Sequence, residues 1–110
     1  MATTYNLYID QGTTFSANLI VADTTGTARD ISDYTVRSQL RRSYESANST
    51  SFTATIPTGT DGVVRLQLSA PTSSNLKYGR YFYDVEIESS ANVVERVFEG
   101  IVELDPEVTK

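Results

Sequence analysis

Two short runs concentrate the charged and aromatic chemistry of this chain. Arg41, Arg42 and Tyr44 form a basic and aromatic cluster, and Asp84, Glu86 and Glu88 recur at every second position. The first suits docking against an acidic neighbour, or is simply the solvated end of a strand. The second suits a basic patch on an adjoining subunit, or is a solvated sheet face. Carboxylates also serve acid–base catalysis and cation binding, but no pair here is set apart by spacing as acid and base. Asp23-Thr24-Thr25-Gly26 and Thr58-Gly59-Thr60-Asp61-Gly62 carry oxygen ligands without the density of a calcium loop. Gly59 to Gly62 also lacks the Lys and the following helix of a phosphate loop. The chain has 0 His and 0 Cys. Imidazole bases, thiol nucleophiles and His/Cys zinc sites are therefore excluded. We expect no enzyme, no catalytic residue, no metal and no cofactor.

With 7 Tyr and 0 Trp, tyrosine is the remaining recognition chemistry. Tyr5, Tyr8, Tyr44 and Tyr78 are the candidates for exposure. Exposed aromatic rings stack on sugars, which keeps a carbohydrate-binding module open, and they anchor protein interfaces, which we favour. The expected partner surface is Tyr5, Tyr8, Arg41, Arg42, Tyr44, Asp84, Glu86 and Glu88. A small-molecule ligand is not expected.

Strands must position these groups, because alternation with period two dominates and helical periodicity is nearly absent. The clearest case is 80–89, where Tyr81, Tyr83, Val85 and Ile87 alternate with Arg80, Phe82, Asp84, Glu86 and Glu88. Further strands are expected at 4–9, 13–22, 35–42, 51–57, 62–69 and 93–104, about seven in all. Tyr5, Leu7 and Ile9 share one face of the first. Ser69 reads as an N-cap and Pro71 as a first-turn residue, giving one short helix near residues 70–76. In the last strand the inward set changes parity, and Gly100 is a candidate bulge. Gly79-x-Tyr81-x-Tyr83-x-Val85 is the corner of an immunoglobulin-like antiparallel β-sandwich with the core cysteine replaced by Tyr83. There Tyr81 bonds back to the backbone and Gly79 allows the close approach, so both read as structural.

The length fits one domain, 1–110, with no repeat or linker. Net charge is −5, with the acids gathered after Tyr83. This argues against nucleic acid, which calls for a basic footprint. The start carries no signal-peptide pattern, and no apolar run nears the roughly 20 residues a membrane helix needs. No membrane partner is expected.

The order of motifs resembles that of small tailed-phage virion proteins with an immunoglobulin-like fold, similar to the N-terminal domain of baseplate upper proteins. The resemblance is carried by residues 6–15 (NLYIDQGTTF), 30–41 (DISDYTVRSQLR), 68–70 (LSA) and the helix after them, 78–81 (YGRY), 94–100 (VERVFEG) and 106–110 (PEVTK). It implies a structural part of a virion, made in the host cytoplasm and placed in the tail, baseplate or fibre-attachment region. Its partners would be other virion proteins and further copies of itself. Baseplate upper proteins continue into a long receptor-side region, whereas this sequence stops at Lys110. An adaptor is therefore expected, with a capsid-surface decoration protein as the alternative.

Overall fold

The computed structural model describes residues 3–22, 25–43 and 49–106. Its strands are β1 (Thr3–Thr4), β2 (Leu7–Asp10), β3 (Phe15–Ile20), β4 (Thr35–Arg41), β5 (Thr50–Ser51), β6 (Thr53–Thr58), β7 (Val63–Leu68), β8 (Gly79–Glu88) and β9 (Val94–Asp105). One helix, α1 (Ala70–Asn75), lies between β7 and β8. The larger sheet runs β1-β9-β8-β4-β5, with β2 following β1 along β9, and the smaller sheet runs β3-β7-β6. The first strands pair with β9 in parallel, and every other strand pairing is antiparallel. An immunoglobulin-like sandwich has this strand order: the opening strand lies beside the last, and α1 carries the chain from one sheet to the other.

Two expected strands each divide. The stretch at 51–57 changes sheet at Phe52, whose N–H donates to Ser38 O at 3.0 Å between β5 and β6. Phe52, Ala54 and Ile56 keep one inward parity through the change, so the sequence pattern reads as a single strand. The stretch at 4–9 breaks at Tyr5 and Asn6, where Asn6 Oδ1 accepts from Ile101 N–H at 3.1 Å in place of a backbone carbonyl. Leu7 and Ile9 point inward as expected, but Tyr5 is half exposed.

Alternation decides the core. Val64, Leu66 and Leu68 of β7 face Tyr81, Tyr83, Val85 and Ile87 of β8, all buried. Phe15, Phe52 and Tyr83 bridge the sheets where a disulfide is absent. The Phe15 and Phe52 ring centroids are 6.1 Å apart, and Phe52 meets Tyr83 edge-on at 6.2 Å. Such pairs each add about 0.5–1.5 kcal/mol beyond the area they bury.

The irregularity in β9 is not at Gly100. Val85 pairs with Phe98 and Glu86 with Arg96, so Val97 is the extra residue and the bulge lies there. It turns Val97 toward the core and Val94 out to solvent, while Phe98, Val102 and Leu104 stay inside. Gly100 answers a different need. A Cβ there would sit 2.4 Å from Tyr5 O, so glycine lets β9 approach the first strand's backbone.

Ser69 caps α1, its hydroxyl accepting from Thr72 N–H at 3.4 Å, and Pro71 occupies the first turn. Ser73 is fully buried. Its hydroxyl donates to Thr13 O at 2.8 Å and accepts from Gly12 N–H at 3.0 Å. Gln11 Nε2 donates to Leu76 O at 2.8 Å. The connection from β2 to β3 is thereby fastened to the helix. At the opposite pole, Arg29 grips Glu95 through two bonds of 2.9 and 3.1 Å and reaches Tyr34. That grip draws the Glu95 carboxyl below its ordinary pKa and raises Arg29.

Candidate interaction surface

The outward face of the larger sheet collects most of the expected site residues, and strand register sets their rows. Glu103 lies opposite Arg80, Ile101 opposite Phe82 and then Arg41, and Glu99 opposite Asp84 and then Gln39. Past the bulge, Arg96 lies opposite Glu86 and then Arg37. Each acid of the β8 series meets a cation of its own chain. Asp84 pairs with Arg96 at 3.4 Å, while Glu86 and Glu88 pair with Arg37 at 2.9 and 3.2 Å. Exposed pairs of this kind contribute little to stability, because solvent screens them. Their larger effect is to offset part of the acidic stripe that the sequence offers to a basic neighbour, two arginines standing against Asp84, Glu86, Glu88 and Glu99.

A shallow hollow of about 440 Å³ opens at the centre of this face, floored by Phe82 and bordered by Gln39, Arg41, Asp84 and Arg96. Asp84 is the perturbed group. Burial first, and then the charge of Glu86, raise its pKa against the pull of Arg96 and Arg41. Nearby Ser38 is buried and its hydroxyl donates to the Asp84 carbonyl at 2.6 Å, while Ser43 lies on the rim of the hollow. Among the described residues no cluster of acids has the geometry of a metal site. The hollow presents both signs of charge around an aromatic floor, a lining that suits a polar or zwitterionic surface.

Arg42 stands apart from this face. Its guanidinium lies 5.0 Å over the Tyr81 ring, and Nη1 points at the carbonyls of Tyr78 and Arg80 at 3.4 and 3.5 Å. A Cβ on Gly79 (φ 131°) would come within 2.5 Å of that same nitrogen. Tyr81 OH donates to Lys77 O at 2.5 Å, closing the corner from within. Arg42 thus braces the corner from outside. Its partners are distant in sequence, so no local pattern announces this role. Tyr83 OH donates to Tyr5 O at 2.5 Å, and burial pushes its pKa well up.

Among the described residues, the large exposed apolar side chains fall into two groups. Tyr8 and Tyr78 lie toward the pole that carries α1, and Tyr5 lies farther up the same edge of the larger sheet. Ile20, Val93 and Val94 lie at the opposite pole. Tyr8, 68% exposed, borders a small hollow with Asn6, Arg80 and Glu103. Tyr44 of the expected surface lies outside the described residues. The structure therefore does not gather the expected site into one patch. Arg41 and the β8 acids share a face, Arg42 belongs to the corner, and the tyrosines line an edge and a pole.

No helix of the described chain is long and apolar enough to cross a membrane. No protein-family model matches the sequence, and no curated protein matches it. Among solved structures, the chain is similar to a family 123 glycoside hydrolase from Clostridium perfringens, studied for hydrolysis of glycolipid glycans. That likeness has a TM-score of 0.45 and 14% identity, and covers 97% of this chain and 24% of the other. The chain thus spans about a quarter of that protein's length. The fold assignment rests on strand order and register, independently of this likeness.

Proposed function

We propose that this chain is a non-enzymatic structural protein of a tailed-phage virion, an adaptor in the tail, baseplate or fibre-attachment region that acts through protein–protein contacts. The observation that carries the contact reading is the division of exposed apolar side chains between two poles, Tyr8 and Tyr78 at one and Ile20, Val93 and Val94 at the other. Apolar groups at both ends of a rigid sandwich suit a piece seated between two neighbours. The ion pairs of the outer sheet offset part of its acidic charge, and apolar and aromatic contacts supply the anchors. The virion assignment draws on the motif order that resembles baseplate upper proteins.

Mass spectrometry of purified particles tests it. A low, fixed copy number per particle is expected for a tail or baseplate part, and hundreds of copies would mark a capsid decoration protein. Particles without the chain would refute the virion reading. Tyr8→Ala and Val94→Ser are expected to fold normally and to lower incorporation. A second reading, a carbohydrate-binding module, is favoured by the hollow beside Tyr8, where an open ring adjoins polar side chains. Glycan-array binding lost in Tyr8→Ala would support it over the adaptor.

A further inference from the structure

We propose that β3 is the edge through which two copies of this chain pair, as antiparallel strands about a two-fold axis at Asn18. β3 ends the smaller sheet, bonded to β7 on one side only. Val21 N–H donates to Gly62 O at 2.8 Å, just beyond the β3–β7 ladder and in its register. By the alternation of an antiparallel ladder, Phe15, Ala17 and Leu19 direct their backbone groups at β7. Ser16, Asn18 and Ile20 turn theirs outward. The segment from Arg29 that accompanies Val21 packs against Gly62, on the β7 side, and among the described residues no strand pairs with the outer edge.

Sheet edges are ordinarily guarded against such pairing by shortness, proline, bulges or charge. The other edges here have these guards. The β1–β2 edge is broken at Tyr5 and Asn6, β5 is a two-residue strand, and β6 carries Pro57 and a register shift between Thr55 and Thr58. β3 has none: Phe15-Ser16-Ala17-Asn18-Leu19-Ile20 pairs without interruption and holds no Pro, Gly or charge.

A second copy is the occupant that symmetry favours, and the placement of charge makes β3 the side on which two such chains can meet. The chain carries −5, and its β8 and β9 acids lie on the opposite sheet. Two copies meeting at β3 bring together the neutral strand of each, beside Arg65, which Asn18 already holds at 3.0 Å. Antiparallel pairing centred on Asn18 sets Ser16 opposite Ile20 and Asn18 opposite itself, so every outward donor finds an acceptor. Ala17 and Leu19 pair on the core side. The contact is isologous and closes at the dimer. It shares Ile20 with the pole of Val93 and Val94, but its observations and its test are those of the β3 backbone and do not draw on the virion reading.

Amide hydrogen exchange followed by NMR on the wild-type chain, dilute and concentrated, tests the pairing. On concentration the Ser16, Asn18 and Ile20 amides are expected to slow by about tenfold or more, with Ala17 and Leu19 unchanged. Sedimentation should show the mass doubling over the same range. Asn18→Lys, which sets two ammonium groups at the axis, should return it to monomer; the new lysine also faces Arg65 of its own chain, so a modestly lower thermal midpoint is expected with the fold retained. Exchange rates independent of concentration would overturn the proposal, and so would a dimer that Asn18→Lys leaves intact. Should that variant fail to fold, the wild-type exchange data decide alone.

Discussion

Gly100 and Tyr83 should be energetically coupled, because both act on one carbonyl. Tyr83 OH donates to Tyr5 O, and a Cβ at position 100 would stand 2.4 Å from that same oxygen and 2.9 Å from its carbon. Both obstacles are backbone, so in Gly100→Ala the first strand must move away from β9. The move breaks the Tyr83–Tyr5 bond, the bond from Tyr5 N–H to Glu99 O at 2.9 Å and the bond from Ile101 N–H to Asn6 Oδ1 at 3.1 Å. At about 1 kcal/mol per bond, the variant loses roughly 3 kcal/mol. Tyr83→Phe removes the first bond alone and should cost about 1–2 kcal/mol. The double variant should then be less destabilised than the sum of the two by about 1 kcal/mol, since the shared bond is lost only once. Urea titrations of the four proteins, at constant m, measure this. Strict additivity would show that alanine at 100 is accommodated without displacing Tyr5, and the account of Gly100 would be wrong.

Two further outcomes follow from one buried and one half-buried polar group. Ser73→Ala should cost about 1–3 kcal/mol, because it leaves the Gly12 N–H and the Thr13 carbonyl without the hydroxyl that serves both. The loss appears as a lower urea midpoint, with faster exchange confined to the β2–β3 connection and α1. Asp84→Asn should stabilise the fold at neutral pH, because the raised pKa of Asp84 means that folding disfavours its charge. The sign follows from linkage: the penalty is present above the folded pKa and vanishes below the unfolded value of about 3.9. The advantage of the variant should therefore shrink as pH falls through that window. Thermal midpoints of both proteins from pH 7 to pH 3 would show it, and a constant difference would refute the assignment.

The fold was legible wherever one strand keeps one partner on each side. β7 and β8 alternate without interruption because both lie inside their sheets, and Ser69 and Pro71 mark the helix by local chemistry alone. Sequence reading failed where the backbone changes company while side-chain parity is preserved. Phe52 carries the chain from one sheet to the other, yet the inward rhythm of Phe52, Ala54 and Ile56 continues unbroken. It failed again in β9, where parity shows that a residue is inserted but cannot locate it. Glycine is the natural suspect for a bulge, whereas Gly100 is required by the backbone of Tyr5 and the inserted residue is Val97. The candidate surface was less legible because alternation tells which side chains point outward, not what they meet there. Arg37 and Arg96 partly neutralise the β8 acids through cross-strand register, and Arg42 reaches Tyr81 from a distant part of the sequence.

The parallel pairing of β1 and β2 with β9 also fixes how this domain bears tension. Thr3 lies beside Phe98 and Asp10 beside Asp105, so both strands run from the pole of Val94 toward the pole of α1. A pull entering ahead of Thr3 and leaving after Asp105 acts at opposite ends of this paired seam. The β2–β9 hydrogen bonds are then loaded together, in shear along the strands, rather than opened one at a time. Tyr83 OH on Tyr5 O and Asn6 Oδ1 on Ile101 N–H pin the seam between its two segments. The unfolding force under such a pull should therefore be set by this one seam, largely independent of how β3, β6 and β7 are packed.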